Sequence, residues 1–326
     1  SDLDSAQIDV LNKNASGVTD NQGAARLDYL RGSGSNEGSG NGYRVRPTSK
    51  LGDLIHSAPY YVATPAFNYS SGFESAPYSD FVTSYKNRTP MIYIGGNDGM
   101  LHGFDASSGE EKLAYVPAAV YNNLSKLSSP SYSHRYFVDG SPTVGDAFYA
   151  GAWHSVLLGG LGGGGQGFFA LDVTDPASFT ESNASSIVRW EFTAGADIDT
   201  DATMRYALGY SFSQPSLVKM ADGKWAAVFG NGYNSTEADG HASTSGYAVL
   251  YILDVETGAV LAKINTKSGT AATPNGLATP TPVDTNGDGV TDYIYAGDLL
   301  GNIWKFDVTS TSPNQWKVAF GNAAAP

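Results

Sequence analysis

Residues 284–307 read DTNGDGVTDYIYAGDLLGNIWKFD. The second half of this stretch is a strand pair. YIYAG and NIWKFD set large apolar residues at a spacing of two, with an Asp- and Gly-containing turn between them. The same pair occurs three more times. Segments ending in glycine are MIYIGG (91–96), SVLLGG (155–160), AAVFG (226–230) and DYIYAG (292–297). Segments ending in aspartate follow: MLHGFD (100–105), GFFALD (167–172), VLYILD (249–254) and NIWKFD (302–307). A Pro-containing strand opens each unit: HSAPYYV (56–62), GSPTV (140–144), SQPSLV (213–218) and TPTPV (279–283). Gly96, Gly160, Gly230 and Gly297 recur at intervals of 64, 70 and 67 residues.

In the aspartate-ending strands, Phe104, Leu171, Leu253 and Phe306 form one column, and His102, Phe169, Tyr251 and Trp304 form another on the same face. The column between them, Gly103, Ala170, Ile252 and Lys305, reads as a more permissive face. A single unit of this kind cannot bury its own faces, so the units must stack around an axis. The sequence therefore predicts an all-β protein, a β-propeller that need not close a ring, with inserted loops and a few short helices. Residues 1–50 read as a helical and loop lead-in, and 51–326 as the propeller, with at least four blades. Within the lead-in, Thr19 or Asp20 is placed to cap a helix carrying Ala24, Leu27 and Leu30 on one face, and 31–42 reads as a flexible loop. Insertions fall at 63–90 and 233–246, and a helix with Val120, Leu124 and Leu127 inward follows Pro117.

The first half of the opening stretch carries the chemistry. Asp284, Asn286, Asp288 and Asp292 set side-chain oxygens at positions 1, 3, 5 and 9 of a tight loop, with Gly289 at position 6. Val290 at position 7 adds its backbone carbonyl. This is most of an EF-hand-type loop, and calcium, a hard cation, takes six to eight such oxygens. Tyr295 stands where an EF-hand has its bidentate Glu, and β-formers follow, so the loop is expected to feed a strand and close through Asp292. Unit three makes the same connection with a bare Asp222 and Gly223 turn, which puts the metal loop in an enlarged hairpin at the rim.

Composition narrows the classes. Of 326 residues, 39 are Gly and 20 are Tyr, as suits a β protein with many tight turns. A net charge of −13 argues against nucleic acid, whose phosphates demand a basic surface. The absence of cysteine removes thiol catalysis, disulfides and zinc-thiolate sites. No apolar run is long enough to span a membrane, and the acidic opening Ser1, Asp2, Leu3, Asp4 is no signal peptide, so an exported chain of this kind is expected to be a piece of a longer precursor.

Other constellations are weaker. Residues 160–165 match G-x-G-x-x-G, but a strand follows where a dinucleotide site needs a helix. Asp197, Asp199 and Asp201 alternate as a second cation site would, but they lack a turn glycine and a closing carboxylate and read as a solvated loop. The five histidines are scattered, and His102 shares a column with core aromatics. No G-x-S-x-G elbow or HExxH helix appears.

Several runs resemble the C-terminal propeller domain of the PilC/PilY family, proteins associated with type IV pilus tips and pilus biogenesis. They are YLRG (29–32), LGDLIHSAPYYV (51–62), YIGGNDGMLHGFDASSGEEKLAYVPAAVY (93–121), GAWHSVLLGGLGGGGQGFFALDVTDP (151–176) and the DxNxDGxxD loop with YAGDLLGNIWKFD. The resemblance implies a modified, quinoprotein-like propeller, a Ca2+ loop at Asp284, Asn286, Asp288, Val290 and Asp292, and a part in pilus extension, retraction, twitching motility and adhesion. It implies minor pilins and host-surface ligands as partners, and an extracellular place at the pilus tip or outer membrane. Some relatives carry Arg-Gly-Asp where this chain has Arg31, Gly32 and Ser33. Quinone-dependent dehydrogenases share the propeller and a D-x-x-T-G-x turn like 254–259, but no separate set of base and cofactor ligands is present, so a non-enzymatic protein is expected. The alternative is an adhesin that binds through 63–90 and 233–246, with calcium purely structural.

Overall fold

Each repeat folds into one four-stranded antiparallel sheet with its strands in chain order. The structure, a computed structural model, describes residues 3–38, 42–236 and 241–320. Blade 1 is Tyr60–Val62, Met91–Gly95, Leu101–Asp105 and Glu111–Tyr115; blade 2 is Thr143–Tyr149, Ala152–Gly160, Gly167–Asp172 and Val188–Thr193. Blade 3 is Ser216–Lys219, Trp225–Gly230, Val249–Asp254 and Val260–Asn265; blade 4 is Thr281–Val283, Tyr293–Gly297, Ile303–Asp307 and Lys317–Val318. The four opening strands lie side by side in the same sequence. Register repeats as well. The central pairs Tyr93 with Gly103, Leu158 with Ala170, Val228 with Ile252 and Tyr295 with Lys305 are equivalent. In blades 1 to 3 a bulge interrupts the last pairing at the same point, after Gly103, Ala170 and Ile252.

Three apolar cores lie between the four blades. Leu157, Phe169 and Leu171 of blade 2 pack toward blade 1. Val156, Leu158, Phe168 and Ala170, on the opposite face of the same strands, pack toward blade 3 with Phe229 and Tyr251. Ile294, Trp304 and Phe306 of blade 4 pack on Val228, Leu250 and Ile252 of blade 3. This corrects the permissive-face reading in three blades: Gly103, Ala170 and Ile252 are buried because the following blade covers that face, while Lys305 of blade 4 is half-buried.

The helix after Pro117 forms as a short 3-10 turn and then Tyr121–Leu127, with Val120, Leu124 and Leu127 buried. In the lead-in, Ser5–Leu11 starts with a capping box between Asp4 and Gln7. The second helix is Gly23–Leu30, and neither Thr19 nor Asp20 caps it. Asp20 pairs instead with Arg26 at 2.6 Å, and the buried guanidinium of Arg26 also reaches Ser128 Oγ at 3.2 Å and the Leu11 carbonyl. Gly23, Arg26 and Tyr29 face inward, Leu27 and Leu30 of the expected face are half-buried against the core, and Ala24 is exposed. The flexible-loop reading of 31–42 and the insertion at 233–246 fall partly outside the described residues.

Candidate metal centre

The hairpins that join first to second strands share one end of the propeller, and they differ sharply. Blade 2 turns through Ala150 and Gly151, and blade 3 through Asp222 and Gly223, with positive φ at the glycines. Blade 4 uses the loop between Val283 and Tyr293, as its oxygen pattern predicted. That loop is built by Asp side chains accepting from backbone N–H groups a few residues on. Asp284 Oδ1 accepts from Gly287 at 2.7 Å and Asn286 at 3.2 Å, and its Oδ2 from Gly289 at 2.8 Å. Asn286 Oδ1 accepts from Asp288 N at 2.9 Å, and Asp288 Oδ1 from Val290 N at 2.8 Å. Gly287 and Gly289 turn the chain at φ of 78° and 85°, where a Cβ is strained.

Asp292 closes the loop. Its Oδ2 accepts from Thr285 N at 2.8 Å and from the Thr285 hydroxyl. Its own N–H donates to the Val283 carbonyl at 2.9 Å. The Gly289 N–H, followed by those of Gly287 and Asn286, holds the Asp284 carboxyl below its ordinary value. Asp284, Asn286 and Asp288 are exposed, and Asp292 and Val290 are half-buried.

The donor set fits a hard cation. All five positions offer oxygen, the ligand atom of hard cations, and the Asn286 amide donates to Asp288 Oδ2 at 3.1 Å. Among the described residues no three His, Cys, Asp or Glu side chains form a metal cluster, so Asp284, Asp288 and Asp292 are not drawn together in this conformation.

The other acidic candidate is put to structural use. Asp197 is buried and accepts from Tyr251 Oη at 2.7 Å, Lys263 Nζ at 2.7 Å and Leu208 N at 3.1 Å. Asp199 accepts from Asp201 N, and Asp201 from Thr203, so the three carboxylates do not converge. His102 is buried between Asp98 at 3.0 Å and Glu111 at 2.6 Å. Burial works to lower its pKa, yet the two carboxylates override that and hold it above the ordinary histidine value. The glycine-rich run makes a 3-10 turn at Gly162–Gly164 and leads into a strand.

Sequence reasoning missed the groups that surround the loop. The 63–90 insertion runs from blade 1 across the hairpins of blades 2 and 3. Its Phe73 ring sits against Gly289, where an added Cβ would lie 2.7 Å from the ring. Glu74 accepts from Trp225 Nε1 at 2.8 Å and from Lys219 Nζ, while the Lys219 carbonyl accepts from Thr291 N at 2.9 Å. The aromatic richness of 63–90 was the available signal, but composition does not say which way a ring points.

Fold and loop together define a β-propeller carrying an oxygen-lined acidic hairpin. The chain belongs to the PilY1 beta-propeller domain family, whose model matches residues 51–324. It is 44% identical over 304 residues to the type IV pilus biogenesis factor PilY1 of Pseudomonas aeruginosa strain PAK, covering 91% of this chain and 24% of that protein. A PilY1 homolog of Xylella fastidiosa is 40% identical over 330 residues, covering 95% and 21%. The crystal structure of the P. aeruginosa PilY1 C-terminal domain superposes with a TM-score of 0.65 at 39% identity, covering 80% of this chain and 51% of that one. The chain thus spans about a quarter of the length of these curated relatives.

Proposed function

We propose that this chain is a calcium-binding, non-enzymatic propeller that acts in type IV pilus biogenesis at the cell surface, as part of a protein that engages pilus components. Kinship to proteins named as pilus biogenesis factors supports the pilus role. The hairpin at 284–292 carries the calcium reading. Asp284, Asn286, Asp288 and Asp292 would hold the ion with the Val290 carbonyl, and its charge would let the carboxylates approach one another and stiffen the hairpin. Control of extension, retraction and twitching would follow from that stiffening. Calorimetric titration with calcium, with magnesium as competitor, tests the site. The expected result is one-to-one binding that Asp288→Ala abolishes; no binding heat in the unsubstituted chain would remove calcium from the reading. Pilus number and twitching, measured with Asp288→Ala in the full-length protein, test the pilus role.

The adhesin alternative draws less support from the strap at 63–90. Tyr69 stacks on Trp153 with ring centroids 5.0 Å apart, and Tyr78 donates to buried Asp146 at 2.5 Å. Those rings face the blades rather than a partner.

A further inference from the structure

The strap is fastened along its length. Near its start, Phe67 N donates to Tyr78 Oη at 3.1 Å. In the middle, Tyr69 stacks on Phe73 at 5.2 Å and meets Trp225 edge-on at 5.4 Å. Trp153 Nε1 donates to the Ala76 carbonyl at 2.9 Å, and near the far end Arg88 donates to Ser155 Oγ at 2.8 Å. From blade 1 it therefore covers the hairpin ends of blades 2 and 3 and stops against blade 4's acidic loop.

Two routes join it to that loop. Phe73 touches Gly289 between Asp288 and Val290, so a contraction of the loop displaces the ring or is resisted by it. Lys219 links the same two elements through its backbone and its side chain, and its ammonium lies 5.0 Å from the Phe73 centroid. Phe73 in turn meets Trp225 at 6.2 Å. Phe73 is half-buried in this chain of contacts, so a displacement of its ring is passed to Trp225 and Lys219.

We propose that the 63–90 strap couples cation occupancy of the 284–292 loop to the centre of the propeller's hairpin face, with Phe73 as the positioning residue for the loop. This rests on the calcium reading above. Coupling is reciprocal, so the strap also sets the loop's affinity for the ion. The hairpin face thereby presents two surfaces, one with calcium and one without, although the ion binds only at its edge.

The test combines calorimetry with fluorine NMR of the fluorotryptophan-labelled chain, the Trp225 resonance being assigned by Trp225→Phe. In the unsubstituted chain calcium is expected to bind and to shift that resonance. Phe73→Ala is expected to weaken binding about tenfold and to abolish the shift. Phe73→Leu, which keeps an apolar contact and guards against a folding defect, is expected to restore much of both. Unchanged affinity and an unchanged shift in Phe73→Ala would overturn the coupling while leaving the calcium site intact. An unsubstituted chain that takes up no calcium would overturn the site and the coupling together.

Discussion

Blades 3 and 4 share strand order and register, yet they treat equivalent positions in opposite ways. Leu250 in blade 3 and Ile303 in blade 4 occupy the same register position, but Leu250 is 0% exposed and Ile303 is 73% exposed. Val228 is likewise fully buried where Tyr295 is 36% exposed. Blade 3 lies between two neighbours, whereas one face of blade 4 has no blade upon it among the described residues. The hairpins differ in the same spirit: a tight turn at Asp222 and Gly223 against nine residues of loop. One sheet design thus yields a core or a surface depending on what stacks against it, and a bare turn or a binding loop depending on what is inserted.

Substitutions in the two blades sharpen the contrast. The largest effect is expected at Lys263. Replacing it with Met leaves Asp197 buried without its cation and should destabilise by about 3–5 kcal/mol in urea titrations. Lys305→Met in blade 4, where the ammonium lies over the half-buried Tyr293 ring at 3.6 Å, should stay within about 1 kcal/mol. Leu250→Ala should lose about 2–5 kcal/mol, and Ile303→Ala no more than about 0.5 kcal/mol. Equal losses would show that the blade 4 face is covered in solution.

The turns give a smaller contrast. Gly223→Ala meets only backbone strain, about 1–2 kcal/mol for a left-handed residue. Gly289→Ala meets the same strain and the Phe73 ring, so it should unfold earlier in a thermal scan than Gly223→Ala. Asp288→Ala, on an exposed loop outside the cores, should change stability in calcium-free buffer by no more than about 0.5 kcal/mol, while calcium heat disappears.

The smallest difference depends on pH and sets blade 1 beside blade 4. His102 and Trp304 share a column, and each directs a ring nitrogen to a carboxylate on the preceding turn, Asp98 or Asp298. Only the imidazole titrates. Its folded pKa is raised, so its contribution is complete below the unfolded value and fades as pH rises through the folded one. Urea midpoints of the unsubstituted chain should therefore fall slightly, relative to those of His102→Phe, as pH climbs above about 6.5.

Much of this was legible before folding. The spacing of Gly96, Gly160, Gly230 and Gly297 and the aspartate-ending strands carried the four blades, because a period of two and a fixed turn chemistry are local properties. The order of oxygens in 284–292 carried the candidate site for the same reason: the hydrogen bonds its side chains accept span no more than seven residues. The reading failed where a distant partner decides. Asp20 was expected as a cap but is claimed by Arg26, whose charge is buried beside Ser128, about a hundred residues away in sequence. Asp197 reads as part of a solvated loop but is buried and engaged by Lys263 of blade 3.

The sequence by itself determined the repeating strand unit, the all-β class and the oxygen-lined hairpin, since each depends on residues within a turn or two of one another. Only the tertiary structure decided which strand faces are core, where the lead-in docks, and that the 63–90 insertion lies across the hairpins with Phe73 on Gly289. Those outcomes depend on which surfaces meet. Apolar burial rewards any well-packed contact irrespective of its distance along the chain, so no local pattern encodes the partner.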